Sequence, residues 1–220
     1  MKIEAVLFDL DGTLFDTDDV WLDGLLSRLG GWSRAPVWSR PARAALTWGE
    51  GIASRLLALL DGVDLDDDVD RLAARLLARR LRSTGVQRPV AGVPGMLADL
   101  AMRYPLAVVT TRSHRGAQVL LDGAALTPHF RAIVARDDTR RIKPHPEPVQ
   151  RAAAELGVSP AACLMVGDTT ADVLSAKAAG AWAVGVLCGF GREADLRRAG
   201  ADQILPGTVD LCGLLRCTRR

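Results

Sequence analysis

Short, almost continuously apolar runs recur along this chain, separated by longer stretches whose apolar residues repeat at helical spacing. Residues 3–8, 106–110, 132–135, 163–167 and 182–187 form the clear runs, and 202–205 is a weaker sixth. A strand that is apolar at every residue has both faces covered, as parallel strands between helices do. Residues 115–121, 147–156, 171–179 and 192–199 read as the intervening helices. This alternation predicts a doubly wound parallel α/β sheet, whose ligands gather at the carboxyl ends of the strands.

One segment breaks the pattern. From Phe15 to about Arg88 the sequence shows no convincing strand, only helical periodicity: Leu22, Leu25, Leu26 and Leu29, then Ile52, Leu56, Leu59 and Leu60, then Leu72, Leu76, Leu77 and Leu81. The expected organisation is a core of residues 1–14 and 89–220 interrupted by an all-helical insertion, residues 15–88, with residues 88–95 as the return linker. The acidic run 64–70 suits a solvated helix start, where carboxylates complement the helix dipole. Trp21, Trp32, Trp38 and Trp48 fall in the insertion; they either pack it or line a pocket.

The strand ends carry the chemistry. The first run closes with Asp9-Leu10-Asp11-Gly12-Thr13, placing two carboxylates two residues apart, on one side of an extended chain. Thr110 and Thr111 end the second run, Lys143 follows the third, and Asp168 and Asp172 follow the fourth. In a doubly wound sheet these ends adjoin, so four carboxylates, a lysine and a threonine converge on one crevice. Crowded carboxylates call for a proton or a cation, and an all-oxygen set beside a phosphate suits Mg²⁺. Thr110 and Lys143 are donors for phosphate oxygens, with Thr111 a further substrate-binding candidate. Asp9 can act as a nucleophile and become an aspartyl-phosphate. Asp11 can protonate the leaving alcohol and then activate water. Arg112 can reach phosphate or the insertion, although an exposed loop arginine is the simpler reading. His145 reads as a loop residue beside a turn, and His114 and His129 show no partner pattern.

Composition narrows the class. The chain is 49% hydrophobic and 25% charged, with a formal net charge of +2, values ordinary for a soluble globular protein and poor for a nucleic-acid surface. No apolar run is long enough to span a bilayer, and the start lacks the pattern of a secretory signal. A cytoplasmic enzyme with no nucleic-acid or membrane partner is expected, as a monomer or a weak homodimer. Cys163 and Cys188 fall in apolar, strand-like surroundings. Cys212 and Cys217 have no neighbouring histidines that would suggest zinc.

Taken together, Asp9-Leu-Asp11-Gly12-Thr13, Thr110, Lys143 and Gly167-Asp168-Thr-Thr-Ala-Asp172 resemble the four signature motifs of the haloacid dehalogenase superfamily, in order, over residues 3 to about 190. The run from Ala176 to Val186 is similar to the phosphoglycolate phosphatase-like branch, which has a helical cap. The resemblance implies a Rossmann-like core with an inserted cap that closes over substrate, and phosphatase action on a small phosphorylated metabolite. It also implies Asp9 as nucleophile and Asp11 as acid/base. Mg²⁺ would be held by the Asp9 carboxylate, the Asp11 backbone carbonyl and Asp168, with Asp172 acting through water or orienting Lys143. Trp48-Gly49-Glu50-Gly51 resembles the cap loop that faces the active site, making Gly49 and Glu50 substrate-binding candidates; a solvated helix-start glutamate is the plainer reading of Glu50. Dehalogenating relatives lack the second aspartate, present here as Asp11. Phosphonate-cleaving relatives use a cap lysine, and none lies between Phe15 and Arg88. A sugar-phosphate mutase stays open, with Arg43 or Arg55 as cap arginines. So does a catalytically silent binding member, although no core carboxylate is missing.

Overall fold

The structure, a computed structural model, describes residues 2–16 and 87–215. The chain divides into two units, residues 1–17 with 87–220 and residues 18–86. The second lies outside the described residues, and with it Gly49, Glu50, the four tryptophans and most of the expected cap.

Six strands, β1 (Ala5–Phe8), β4 (Leu106–Val109), β5 (Ala132–Val134), β6 (Cys163–Gly167), β7 (Trp182–Val186) and β8 (Gln203–Leu205), make one sheet in the order β5-β4-β1-β6-β7-β8. Every pairing is parallel; Val6 lies opposite Leu106 on one side and Leu164 on the other. Among the described residues the α-helices are α1 (Val93–Ala101), α2 (His114–Gly123), α3 (Glu147–Leu156), α4 (Thr170–Ala179), α5 (Glu193–Arg198) and α6 (Leu211–Leu214). Alternate residues of β1 feed two separate cores. Val6 and Phe8 pack with Leu97 and Leu100 of α1, Leu121 of α2 and Leu211 of α6. Ala5 and Leu7 pack with Val149 and Ala152 of α3, Val173 and Ala176 of α4 and Leu196 of α5. Helices on both faces explain why the strands are apolar at every position, and the doubly wound, Rossmann-like α/β core follows the expectation.

The sheet grows from β1 through β4 to β5 on one side, then continues from β6 to β8 on the other. The connections on either side of β1 therefore leave in opposite directions, opening a crevice at the carboxyl ends of β1, β4 and β6.

Three local expectations are corrected. The linker expected at 88–95 ends early: Gly92, at φ 85°, turns the chain directly into α1, which buries Val93, Met96, Leu97 and Leu100. Pro94 obscures this helix in the sequence, yet proline is tolerated in a first turn, where its missing N–H has no partner to lose. Phe15–Asp16 (β2) and Arg88–Pro89 (β3) pair as an antiparallel ribbon, where no strand was expected; two-residue strands carry no periodicity to read. Cys163 is buried in β6, where burial pushes its thiol up to about 11. Cys188 lies beyond the end of β7 rather than in a strand. No helix among the described residues is long and apolar enough to cross a membrane.

Candidate active site

Asp9 is the first residue past β1, and its N–H still donates to Val166 O of β6 at 2.9 Å, which fixes the backbone between two strand ends. The chain then folds back: Leu14 and Phe15 N–H both donate to Leu10 O, and Gly12 N–H donates to Phe15 O. Gly12 sits at φ 75°, and a Cβ there would collide with the Asp168 carboxylate. Glycine satisfies both demands at once.

Lys143 reaches the same point from the loop after β5. Its ammonium donates to Asp9 Oδ1 at 2.6 Å, Asp172 Oδ1 at 2.6 Å and Val109 O at 2.9 Å, using all three of its donors. Asp172 belongs to the first turn of α4, and its other oxygen accepts from Thr169 N–H at 3.0 Å and Thr169 Oγ1 at 2.6 Å. One carboxylate thus completes a capping box and anchors the lysine. Asp168, fully buried, accepts from Thr13 Oγ1 at 3.1 Å and from Phe190 N–H at 2.8 Å. Ser175 Oγ donates to His145 O at 2.7 Å and ties the Lys143 loop to α4. His145 also accepts from Glu147 N–H through Nδ1, which matches a loop residue beside a turn.

Oxygens of Asp9, Asp168 and Asp172 lie within 4.8 Å of one another, all in buried residues. Three carboxylates share this buried point with a single ammonium, and the crowding shows at Asp9 and Asp168. Burial pushes Asp9 up to about 7 despite Lys143, with Asp172 and Asp11 adding to the rise. Asp168 is also raised well above the usual carboxylate range, by burial first and then by Asp9 and Asp172. Burial disfavours the Lys143 ammonium, but Asp172 and Asp9 outweigh it and its pKa is raised. A hard divalent cation with oxygen ligands would relieve this excess of negative charge, so the donor set fits Mg²⁺.

Thr110 stands just past β4, buried, with its hydroxyl accepting from Arg112 N–H at 3.1 Å; Thr111 is exposed beside it. The Asp11 carboxylate stands apart from the acidic cluster. Its Oδ2 accepts from Arg112 Nε at 2.6 Å and its Oδ1 from Arg112 Nη2 at 2.5 Å. The same Nη2 donates to Gln87 Oε1 at 2.7 Å. Arg112 is thus a half-buried ion-pair partner and not the exposed loop arginine that the sequence suggested. Burial opposes its charge, yet the contacts with Asp11 raise its pKa. The sequence reading also passed over Gln87, and the loop of Gly189 and Phe190 that closes over Asp168. The only signal for that loop was Gly189-Phe190-Gly191, two glycines just after a strand.

The family of haloacid dehalogenase-like hydrolases matches residues 6–186. The chain belongs to this family. Among the curated relatives of this hydrolase is the N-acetylmuramic acid 6-phosphate phosphatase of Pseudomonas aeruginosa, 30% identical over 219 residues, 98% of this chain and 96% of the relative. The phosphoglycolate phosphatase of Rhodospirillum rubrum is 32% identical over 197 residues, 86% of this chain and 82% of that one. A putative β-phosphoglucomutase structure from Thermotoga maritima shares the fold at TM-score 0.70 and 23% identity, covering 97% of this chain and 99% of that one. The hydrolase belongs among the phosphoric monoester hydrolases of its family.

Proposed function

We propose that this hydrolase is a Mg²⁺-dependent phosphatase that removes phosphate from a small phosphorylated metabolite through an aspartyl-phosphate on Asp9. The observation that carries the reading is the buried convergence of Asp9, Asp168 and Asp172 at adjoining strand ends, with the Lys143 ammonium on Asp9 and Asp172. The phosphate-ester substrates in the names of the two curated relatives support the substrate class. A cytoplasmic enzyme acting as a monomer or a weak homodimer is part of the proposal.

Asp9 and Asp168, with the Asp11 backbone carbonyl, are the residues assigned to the metal; Asp172 is assigned to it through water. Bound Mg²⁺ supplies charge neutralisation, which lets a phosphate dianion approach a carboxylate. Asp9 attacks phosphorus, the phosphorus–oxygen bond to the leaving group breaks, and Asp11 gives its proton to the departing alkoxide. Asp11 then takes a proton from water as that water attacks the aspartyl-phosphate, returning Asp9 and releasing inorganic phosphate. Lys143 holds Asp9 in position and balances charge on the transferring group, and the Thr110 hydroxyl binds a phosphate oxygen. Residues 15–88 are assigned as the cap, with Gly49 and Glu50 toward substrate.

The test is phosphate release from p-nitrophenyl phosphate and from a panel of phosphorylated metabolites, with Mg²⁺ and with chelator. Mg²⁺-dependent turnover is expected. A metal-loaded, folded protein that releases phosphate from none of them overturns the proposal, and isomerisation of a sugar monophosphate in place of hydrolysis would make the enzyme a mutase.

A further inference from the structure

Asp11 is assigned the proton transfers, yet both of its oxygens are held by Arg112 through two in-plane donors, Nε and Nη2. A leaving-group oxygen needs one of those oxygens. The Arg112 backbone cannot follow the side chain: its N–H donates to Thr110 Oγ1 and its carbonyl accepts from Arg136 N–H at 2.9 Å. The guanidinium is the part of Arg112 left to turn, from a backbone anchored to a residue assigned to phosphate binding. Gln87 Oε1 takes a further donor direction of Nη2.

From this arrangement we infer that Arg112 is a specificity-determining residue that selects phosphomonoesters carrying a carboxylate on the leaving group. The inference rests on the phosphatase reading above. A substrate carboxylate offers the same planar pair of oxygens that Asp11 offers, so it can take over the fork without loss of donor geometry. The exchange frees Asp11 to turn toward the leaving oxygen. Charge counting favours a carboxylate over a second phosphate: the fork balances one unit of negative charge, and a phosphate dianion would leave one unbalanced. A neutral leaving group offers no anion to exchange, so Asp11 is freed only by leaving the guanidinium without its carboxylate, and turnover is slower. Substrate selection and release of the acid/base are then the same event.

The experiment compares 2-phosphoglycolate with its neutral amide, 2-phosphoglycolamide, by released phosphate, and by competition against p-nitrophenyl phosphate where turnover is slow. Wild type, R112A, R112Q and R112K are assayed, with circular dichroism to confirm folding. Wild type is expected to favour the acid over the amide by ~10–100-fold, the range of a charge-assisted two-point contact. The ratio should fall to within about threefold in R112A and R112Q and recover only in part in R112K, whose ammonium is a point charge. A merely structural role would lower both substrates together and leave the ratio alone. A wild type that hydrolyses p-nitrophenyl phosphate but does not distinguish acid from amide overturns the role of Arg112 alone, as does R112A with an unchanged ratio. A folded, Mg²⁺-loaded wild type that releases phosphate from nothing, p-nitrophenyl phosphate included, overturns the phosphatase reading and this inference with it.

Discussion

Asp168 is held between two glycines. A Cβ on Gly12 or on Gly189 would overlap its carboxylate, and one on Gly191 would overlap its carbonyl oxygen. The close approach lets Phe190 N–H and Thr13 Oγ1 orient the two carboxylate oxygens from opposite partners. Gly189→Ala is therefore expected to cost about 1–3 kcal/mol, as overpacking of a filled site does, and to weaken Mg²⁺ binding; denaturant unfolding and a metal titration measure the two effects. Asp9 has a different task. Asp9→Asn is expected to lower kcat on p-nitrophenyl phosphate by ~10³-fold or more, as loss of a nucleophile does, with the circular dichroism spectrum preserved. Asparagine keeps the shape and hydrogen-bonding oxygen of the side chain but cannot form the acyl-phosphate. Retained turnover in that variant would remove Asp9 as nucleophile.

The N-terminus of α4 shows how one element serves stability and site together. Thr169 caps the helix, and Asp172 returns the capping bond while its second oxygen holds Lys143. Thr169→Ala should cost about 1 kcal/mol, the usual worth of a cap, lowering the melting temperature by about 2–4 °C in a chain of this size. Because the cap also aims Asp172, kcat should fall as well, whereas an ordinary surface cap would change stability alone. The sequence marks Asp172 as a site candidate, and the structure adds the capping contact, so one side chain makes both. Elements with strong periodicity were legible, since burial on two faces leaves an apolar run that nothing else produces. Helix α1 and the β2–β3 ribbon were not, one because Pro94 masks a tolerated first-turn position and the other because two residues carry no pattern.

At the scale of the whole molecule, the metal proposed above would compete with protons for the same carboxylates. Without metal, Asp9 titrates near 7 and Asp168 is raised too, both far above an unfolded aspartate. A folded-state pKa raised above the unfolded one contributes stability that is full below the unfolded pKa and lost as pH rises through the folded pKa. In chelator, the melting temperature should therefore decline as pH climbs from about 4 toward about 7, the window set by an ordinary aspartate and the raised Asp9. The raised Lys143 titrates above this window and does not offset the decline. Mg²⁺ should restore more stability above pH 7 than at pH 5, because binding must displace protons at the lower pH. Differential scanning calorimetry in chelator and in Mg²⁺ measures both slopes. An Asp9→Asn protein should show a flatter slope in chelator.

Much of the candidate site was legible in one dimension. Asp9, Asp11, Thr110, Lys143, Asp168 and Asp172 each follow an apolar run, and parallel strands bring such ends together whatever the details of packing. The charge problem was visible too, since so many carboxylates at one sheet edge demand a cation or protons. The sequence alone could not say where each carboxylate points. Asp9, Asp168 and Asp172 converge within 4.8 Å, while the Asp11 carboxylate turns to an arginine 101 residues away in sequence. Pairings of that kind depend on side-chain rotamers and on loops meeting across the sheet, which leave no periodicity. The order of apolar runs and the residues that follow them determined which side chains end the strands at one sheet edge; tertiary packing decided that the Asp11 carboxylate is held by Arg112, because that contact rests on rotamers and loops with no sequence period.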